Sequence, residues 1–192
     1  MRATIVFEPT GAFGQPSGTA MTAANELGAS RMRVIHFLVL ATLLSGCVPK
    51  RPLVPLRMGV AESPISSSVH VPAGSQLVYV SGAVPEAVDP AAPQGSIDRY
   101  GDTETQTRSV LGKIEQELAK HGLGLGDVVM MRVFLVAPPG QPRMDFAAMM
   151  RAYRERFGTP GQPNKPARST MQVAGLVDPG WLVEIEATAA KH

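Results

Sequence analysis

Pro166-Ala167-Arg168-Ser169-Thr170-Met171-Gln172-Val173 and, one loop later, Val183-Glu184-Ile185-Glu186-Ala187 are the stretches on which the fold turns. Both read as β-strands, and each carries a charge where an apolar strand has little use for one. Arg168 begins the first run, so its guanidinium leaves a sheet edge toward a cleft. A permanently charged planar fork in that place suits two-point binding of a carboxylate. Glu184 stands within an apolar strand, where an unpaired charge is expensive, so it requires a structural partner or a chemical role. Alternation puts Glu184 and Glu186 on the same side of that strand. The pair points to a small-acid site, with one cation to hold the ligand and one carboxylate to move protons.

Working outward, the pattern from about Ser63 is that of an α+β domain. Ser66 to Val71 reads as a first strand, and Gln76-Leu77-Val78-Tyr79-Val80-Ser81-Gly82 as a second, β-branched and aromatic one. Glu86 to Asp102 is rich in Pro and Gly and reads as an exposed loop. Thr103 to His121 has helical period, with Val110, Ile114 and Leu118 on one face; Thr103 and Gln106 fit a capping box, and Gly122 stops the helix. Val128 to Val136 is a strand too apolar to face water on both sides. A second helix, Asp145 to Phe157, presents Phe146, Met149, Met150, Tyr153 and Phe157 along its apolar face. Strands over 168–174 and 181–189 close the chain. The order is β-β-α-β-α-β-β, with two helices packed on one face of a mixed sheet over residues 63–192.

The first fifty residues read as an address. Met32-Arg33, the apolar run Val34 to Leu44 and Leu44-Ser45-Gly46-Cys47 are the parts of a secretory signal over 32–46. The apolar run falls short of the roughly 20 residues that span a bilayer. Its ending resembles a bacterial lipobox, whose cysteine is lipidated, against the plain alternative of a chance apolar stretch ending in a buried cysteine. On the first reading residues 1–31 are a mis-assigned extension, and 48–62, with Pro49, Pro52 and Pro55, form an extended tether. Lipid on Cys47 then holds the domain at the membrane of the bacterial cell envelope, facing the periplasm. If the signal is not used, the chain is cytoplasmic.

Composition narrows the function. The 192 residues suffice for one domain and a tail. The pI near 8.9 accompanies a net charge of only +2, with no basic stripe and few aromatics, which argues against nucleic acid as a partner. One cysteine excludes an intrachain disulfide, and the four scattered histidines have no zinc spacing, so no metal is expected.

The ordered series Val80-Ser81-Gly82, Gln106, Arg132-Val133-Phe134-Leu135, Tyr153 to Phe157, Pro166-Ala167-Arg168-Ser169 and Val183 to Ala187 resembles the reactive intermediate deaminase family (RidA, YjgF-like, formerly endoribonuclease L-PSP). The resemblance covers about residues 64–190. It implies a chorismate-mutase-like fold, a homotrimer with clefts between subunits, and hydrolysis of 2-imino acids to 2-keto acids and ammonia without metal or organic cofactor. Carried over by position, Arg168 matches the carboxylate-binding arginine, Glu184 the acidic residue near the attacking water, and Ser81 and Gly82 the strand end whose backbone lines the cleft. Ser68, Ala83, Met150 and Thr170 depart from the tyrosine, glutamine, asparagine and cysteine common in the family at those places.

Each residue also has a plainer reading. Arg168 can pair with an acidic neighbour, and Glu184 can form a salt bridge at a subunit interface. Gln106 can be only the capping-box partner of Thr103, Ser81 and Gly82 only a strand terminus, and Tyr153 with the helix methionines only core. The expected activity is a cofactor-free deaminase; its alternative is a non-catalytic trimeric lipoprotein that binds a small carboxylate. Ribonuclease chemistry finds neither a basic groove nor a histidine pair.

Overall fold

The computed structural model describes residues 54–191. Its elements are β1 (Leu56–Met58), β2 (Ser68–His70), β3 (Gln76–Ala83), α1 (Ile97–Tyr100), α2 (Thr103–Ala119), β4 (Val128–Leu135), α3 (Phe146–Arg154), β5 (Ala167–Gln172) and β6 (Val183–Lys191). Four strands form a mixed sheet in the order β3-β6-β4-β5, with β6 antiparallel to both neighbours and β5 parallel to β4. The parallel pair requires a crossover, which α3 supplies. The architecture agrees with the α+β expectation of two helices over one sheet face.

Alternation explains which face the helices cover. Val183, Ile185, Ala187 and Ala189 of β6 are buried, as are Met131, Val133 and Leu135 of β4, and they meet Val110, Leu111, Ile114 and Leu118 of α2. The intervening residues Met130, Arg132 and Phe134, with Glu184, Glu186 and Thr188, face away from that core. Tyr79 lies opposite Thr188 and is 75% exposed on this uncovered face.

Four expectations need correction. The first expected strand does not join the main sheet beyond a single parallel bridge from Ser66 to Ala167; β2 pairs with β1 in a separate two-stranded sheet. β1 itself falls inside the stretch read as a tether, so the chain is already paired from Leu56. Three residues are too few to show a period, and what holds them is distant: Arg57 Nη2 donates to the carbonyls of Gly126 (2.9 Å) and Val128 (3.2 Å). The loop before α2 contains the single-turn helix α1, whose Tyr100 is buried.

The fourth correction concerns the start of α2. Asp102, not Thr103, is the N-cap, accepting from the Thr105 N–H at 2.8 Å. That frees Gln106, which is fully buried. Its Nε2 donates to the carbonyls of Gly101 and Gly180, both at 2.9 Å, and its Oε1 accepts from the Leu182 N–H at 2.7 Å. Gln106 therefore ties the first turn of α2 to the chain entering β6. Gly122, at φ 70°, ends the helix as expected.

Candidate functional site

Arg168 lies on β5, the edge strand next to β4. Residues before it are held by backbone contacts: the Ser66 N–H donates to Pro166 O (3.0 Å), and Ser66 Oγ to Lys165 O (2.6 Å). The register places Arg168 beside buried Met131, on the helix-covered side. Its guanidinium therefore leans onto α3, where it lies 4.2 Å from the centroid of the Tyr153 ring. Tyr153 in turn stacks on Phe157 with centroids 4.6 Å apart, and its hydroxyl donates to Pro64 O at 3.1 Å. A rigid aromatic shelf thus fixes the plane of the cation.

The guanidinium lacks partners of its own kind. Nη2 donates to Met150 Sδ at 3.1 Å, a weak acceptor, while Nε and Nη1 are buried without a hydrogen bond. Among the described residues Arg168 makes no ion pair. Burial pulls its pKa below the ordinary arginine value, opposed by Tyr153. At such a value arginine still remains a cation at neutral pH. Thr170, one pleat farther on the same side, has a buried hydroxyl that is likewise unpaired. Three buried polar atoms on one flank of one strand thus lack a partner, and neither Arg168 nor Thr170 lines a described cavity.

Burial acts on Tyr153 in the opposite sense. It pushes the phenol up to about 12, against the lowering effect of Arg168, so the ring stays neutral beneath the cation.

Glu184 lies on the other side of the sheet. It pairs in register with Phe134, and like Phe134 it faces away from the helices. Glu186, two residues on, forms an exposed ion pair with Arg132 at 3.2 Å. Glu184 makes no ion pair among the described residues, and its carboxylate lies against the backbone of Gly82. A Cβ at residue 82 would run into Glu184 Oε1 and stand 2.9 Å from its carboxyl carbon. The close approach at Gly82 comes from the flexible end of a side chain, and not from an unusual backbone angle.

Gly82 and Ser81 sit where the β3–β6 register slips between Val80 and Ala83. Beside it is a cavity of about 360 Å³ lined by Val78 to Val84 and by Lys113, Glu117 and His121; Glu184 is not among its lining residues. Lys113 Nζ donates to Val84 O at 2.9 Å and braces this strand end.

The sequence-based site is thus assembled in two halves. Ser81, Gly82 and Glu184 come together; Arg168 belongs to the opposite face, with Tyr153, Met150 and Thr170. Within one chain Arg168 and Glu184 therefore stand on opposite faces of the sheet. Parity of a strand says which residues share its two sides, but not how distant strands register. Tyr153 and Met150, read from sequence as core, are buried in it and also touch the arginine; their spacing, about one turn before Phe157 and Tyr153 on an apolar helix face, gave no sign of that contact. Cys47, the expected lipidation site, lies outside the described residues.

Residues 60–191 match the protein family described as Endoribonuclease L-PSP. A RutC family protein of Haemophilus influenzae is 36% identical over 115 residues, covering 60% of this chain and 79% of the relative. TdcF of Escherichia coli, named as a candidate reactive intermediate deaminase, is 33% identical over 116 residues, covering 60% of this chain and 79% of its own. The structure of YyfB from Yersinia pestis, a Rid family protein of unknown function, superposes with a TM-score of 0.53 at 24% identity, covering 71% of this chain and 98% of that one. That last likeness speaks for the fold. With the family pattern spanning the whole of the sheet and both long helices, the chain belongs to the endoribonuclease L-PSP family, the RidA or YjgF proteins.

Proposed function

We propose that this protein is a cofactor-free hydrolytic deaminase of 2-imino acids, acting at a site completed by two protomers. The observation that carries the reading is the half-buried Arg168 guanidinium, with two nitrogens unpaired and no counter-ion. A substrate carboxylate supplies what those nitrogens lack, and Thr170 Oγ1 lies on the same flank to donate to it. Glu184 and the Ser81–Gly82 strand end of a neighbouring protomer face the imine end.

The chemistry is modest. Water adds to the carbon of the protonated C=N bond while Glu184 takes its proton, giving a tetrahedral carbinolamine. Glu184 returns that proton to the nitrogen, then accepts the carbinol hydroxyl proton as the C=O bond forms and the C–N bond breaks, and passes it to the departing ammonia, so the products are a 2-keto acid and ammonium. Fixing acid and water together contributes about 7 kcal/mol when alignment is good. The test generates imino acids in situ and follows keto-acid release by wild type and Arg168→Ala. Release at the buffer rate with wild-type protein sinks the deaminase reading.

A second reading, a non-catalytic carboxylate receptor, draws on the company Arg168 keeps. A thioether and an aromatic ring surround it, and Ser68 is exposed on β2, so few polar groups accompany the cation. Carboxylate binding lost in Arg168→Ala, without any release, is the result that favours it.

The same proposal includes the assembly and the address. A homotrimer is supported by the uncovered sheet face with exposed Tyr79 and Met171, and sedimentation of the purified protein tests it. Lipidation of Cys47, with export over 32–46, a tether from 48 and a place in the bacterial envelope, is supported by the leader pattern. Incorporation of labelled fatty acid by wild type and its absence in Cys47→Ser is the corresponding measurement; no labelling of either leaves the cytoplasmic alternative.

A further inference from the structure

The two-stranded sheet at the start of the domain leaves an apolar ridge uncovered. Val54, Leu56, Met58 and Val60 are 53%, 59%, 53% and 67% exposed, at every second position of one short segment. Alternation puts Leu56 and Met58 on one side of β1, beside His70 and Ser68 of β2, which are also exposed. The residues between them turn inward: Pro55 is buried, and Arg57 donates from Nη2 to the carbonyls of Gly126 and Val128. The backbone behind the ridge is fixed as well. The Ser67 N–H donates to Met58 O at 2.8 Å, and Lys165 Nζ to Ala61 O (2.8 Å) and Ser63 O (2.7 Å). Four apolar side chains are thus held outward on a braced support, and nothing among the described residues covers them.

We propose that this ridge lies on the membrane, with its side chains in the headgroup layer of the leaflet that carries the Cys47 lipid. The inference rests on the lipidation of Cys47 proposed above. Val54 follows Cys47 by seven residues, which reach about 25 Å when fully extended. That reach is less than the roughly 35 Å width of a domain this size, so the ridge is held near the bilayer whichever way the domain turns. Charge agrees with the placement: Lys50, Arg51 and Arg57 all precede Glu62, the first carboxylate after Cys47. A basic run beside a membrane is drawn to the negative surface of anionic phospholipid. Apolar side chains that enter the headgroup layer add burial to that attraction. Val177, 90% exposed, stands at the other end of the domain. The residues flanking its loop bond at the end of β4, the Val173 N–H to Leu135 O and the Val136 N–H to Leu182 O, whereas Arg57 bonds at the beginning of that strand.

The test uses the full chain, expressed and matured in bacteria, purified in detergent and reconstituted into vesicles of phosphatidylethanolamine and phosphatidylglycerol. Cys47 is the sole cysteine and lipidation consumes its thiol, so a spin label on Leu56→Cys is the one label per chain. Met58→Cys, at a second exposed position, carries the test if thermal melting shows the first variant unfolded. The expected result is that vesicles abolish relaxation of this label by a water-soluble nickel complex and leave its relaxation by oxygen. A label on Val177→Cys stays open to nickel. Nickel relaxation at the ridge equal to that at Val177→Cys overturns the inference and leaves the anchor standing. A label shielded from nickel and oxygen alike, in detergent as in vesicles, overturns it in favour of a second copy of this chain on the ridge. Two labels per chain show Cys47 to be free and overturn the anchor together with the inference.

Discussion

Two side chains carry the proposed chemistry at the scale of single residues, and each rests on a neighbour. Arg168 is held flat by Tyr153 at 4.2 Å, an interaction of about 1–2 kcal/mol when partly desolvated. Tyr153→Leu is expected to weaken keto-acid binding about tenfold by releasing the guanidinium, while Tyr153→Phe retains it; a calorimetric comparison of the two separates ring from hydroxyl. Tyr153 also carries a pH signature. Its folded pKa, near 12, lies above the ordinary phenol value, so the unfolded chain loses the proton first. Stability should fall as pH rises from the ordinary phenol value toward the folded one, and Tyr153→Phe should flatten that limb in alkaline melts. On the other face, Gly82→Ala forces the Glu184 carboxylate aside. A glutamate tip moves cheaply, so we expect little change in melting temperature but a fall in kcat of roughly 100-fold if Glu184 handles the proton. Unaltered turnover in that variant would remove Glu184 from the mechanism.

Between the elements, buried polar side chains set positions that apolar packing leaves loose. Gln106 joins the first turn of α2 to the chain entering β6 through three hydrogen bonds. Gln106→Leu orphans two carbonyls and an N–H in the interior, and denaturant titration should show a loss of about 2–4 kcal/mol. Nearby, Asp178 accepts from the Gly180 N–H (2.8 Å), Tyr100 Oη (2.9 Å) and Gln94 Nε2 (2.6 Å). Burial resists its ionisation, but these donors outweigh burial and hold its carboxyl below the usual range. A depressed folded pKa means the stabilisation is present above the unfolded value and is lost as pH falls through the folded one. Asp178→Asn should therefore lower stability at neutral pH and converge with wild type in acid. Gly180 belongs to the same joint: a Cβ there would press on Ser96 O at 2.5 Å, backbone that has nowhere to go.

For the whole molecule, the opposite placement of Arg168 and Glu184 makes a definite claim about assembly. If each site takes its arginine from one protomer and its carboxylate from the next, Arg168→Ala and Glu184→Gln chains are each inactive but complement one another. Refolded together in equal amounts as closed trimers, one site in four receives both intact residues, and about a quarter of wild-type activity should return. No recovery in such mixtures, with both variants trimeric by sedimentation, would show that the site lies within one chain.

Much of this molecule is legible from its residues in order. The strands at 76–83 and 128–135 and the helices at 103–119 and 146–154 follow from apolar period and from turn residues that act locally, as Gly122 does at the end of α2. The shared side of Glu184 and Glu186 follows from the pleat alone. What the tertiary structure decided is everything that depends on partners far along the chain. β1 exists because Arg57 reaches the carbonyls of Gly126 and Val128, Gln106 is a bridge because Gly180 and Leu182 return to it, and Arg168 rests on Tyr153 because β5 docks at the edge beside β4. Local preferences extend over a few residues, whereas the side of a sheet on which a charge finally stands is set by register between strands more than fifty residues apart, as Arg132 and Glu186 are.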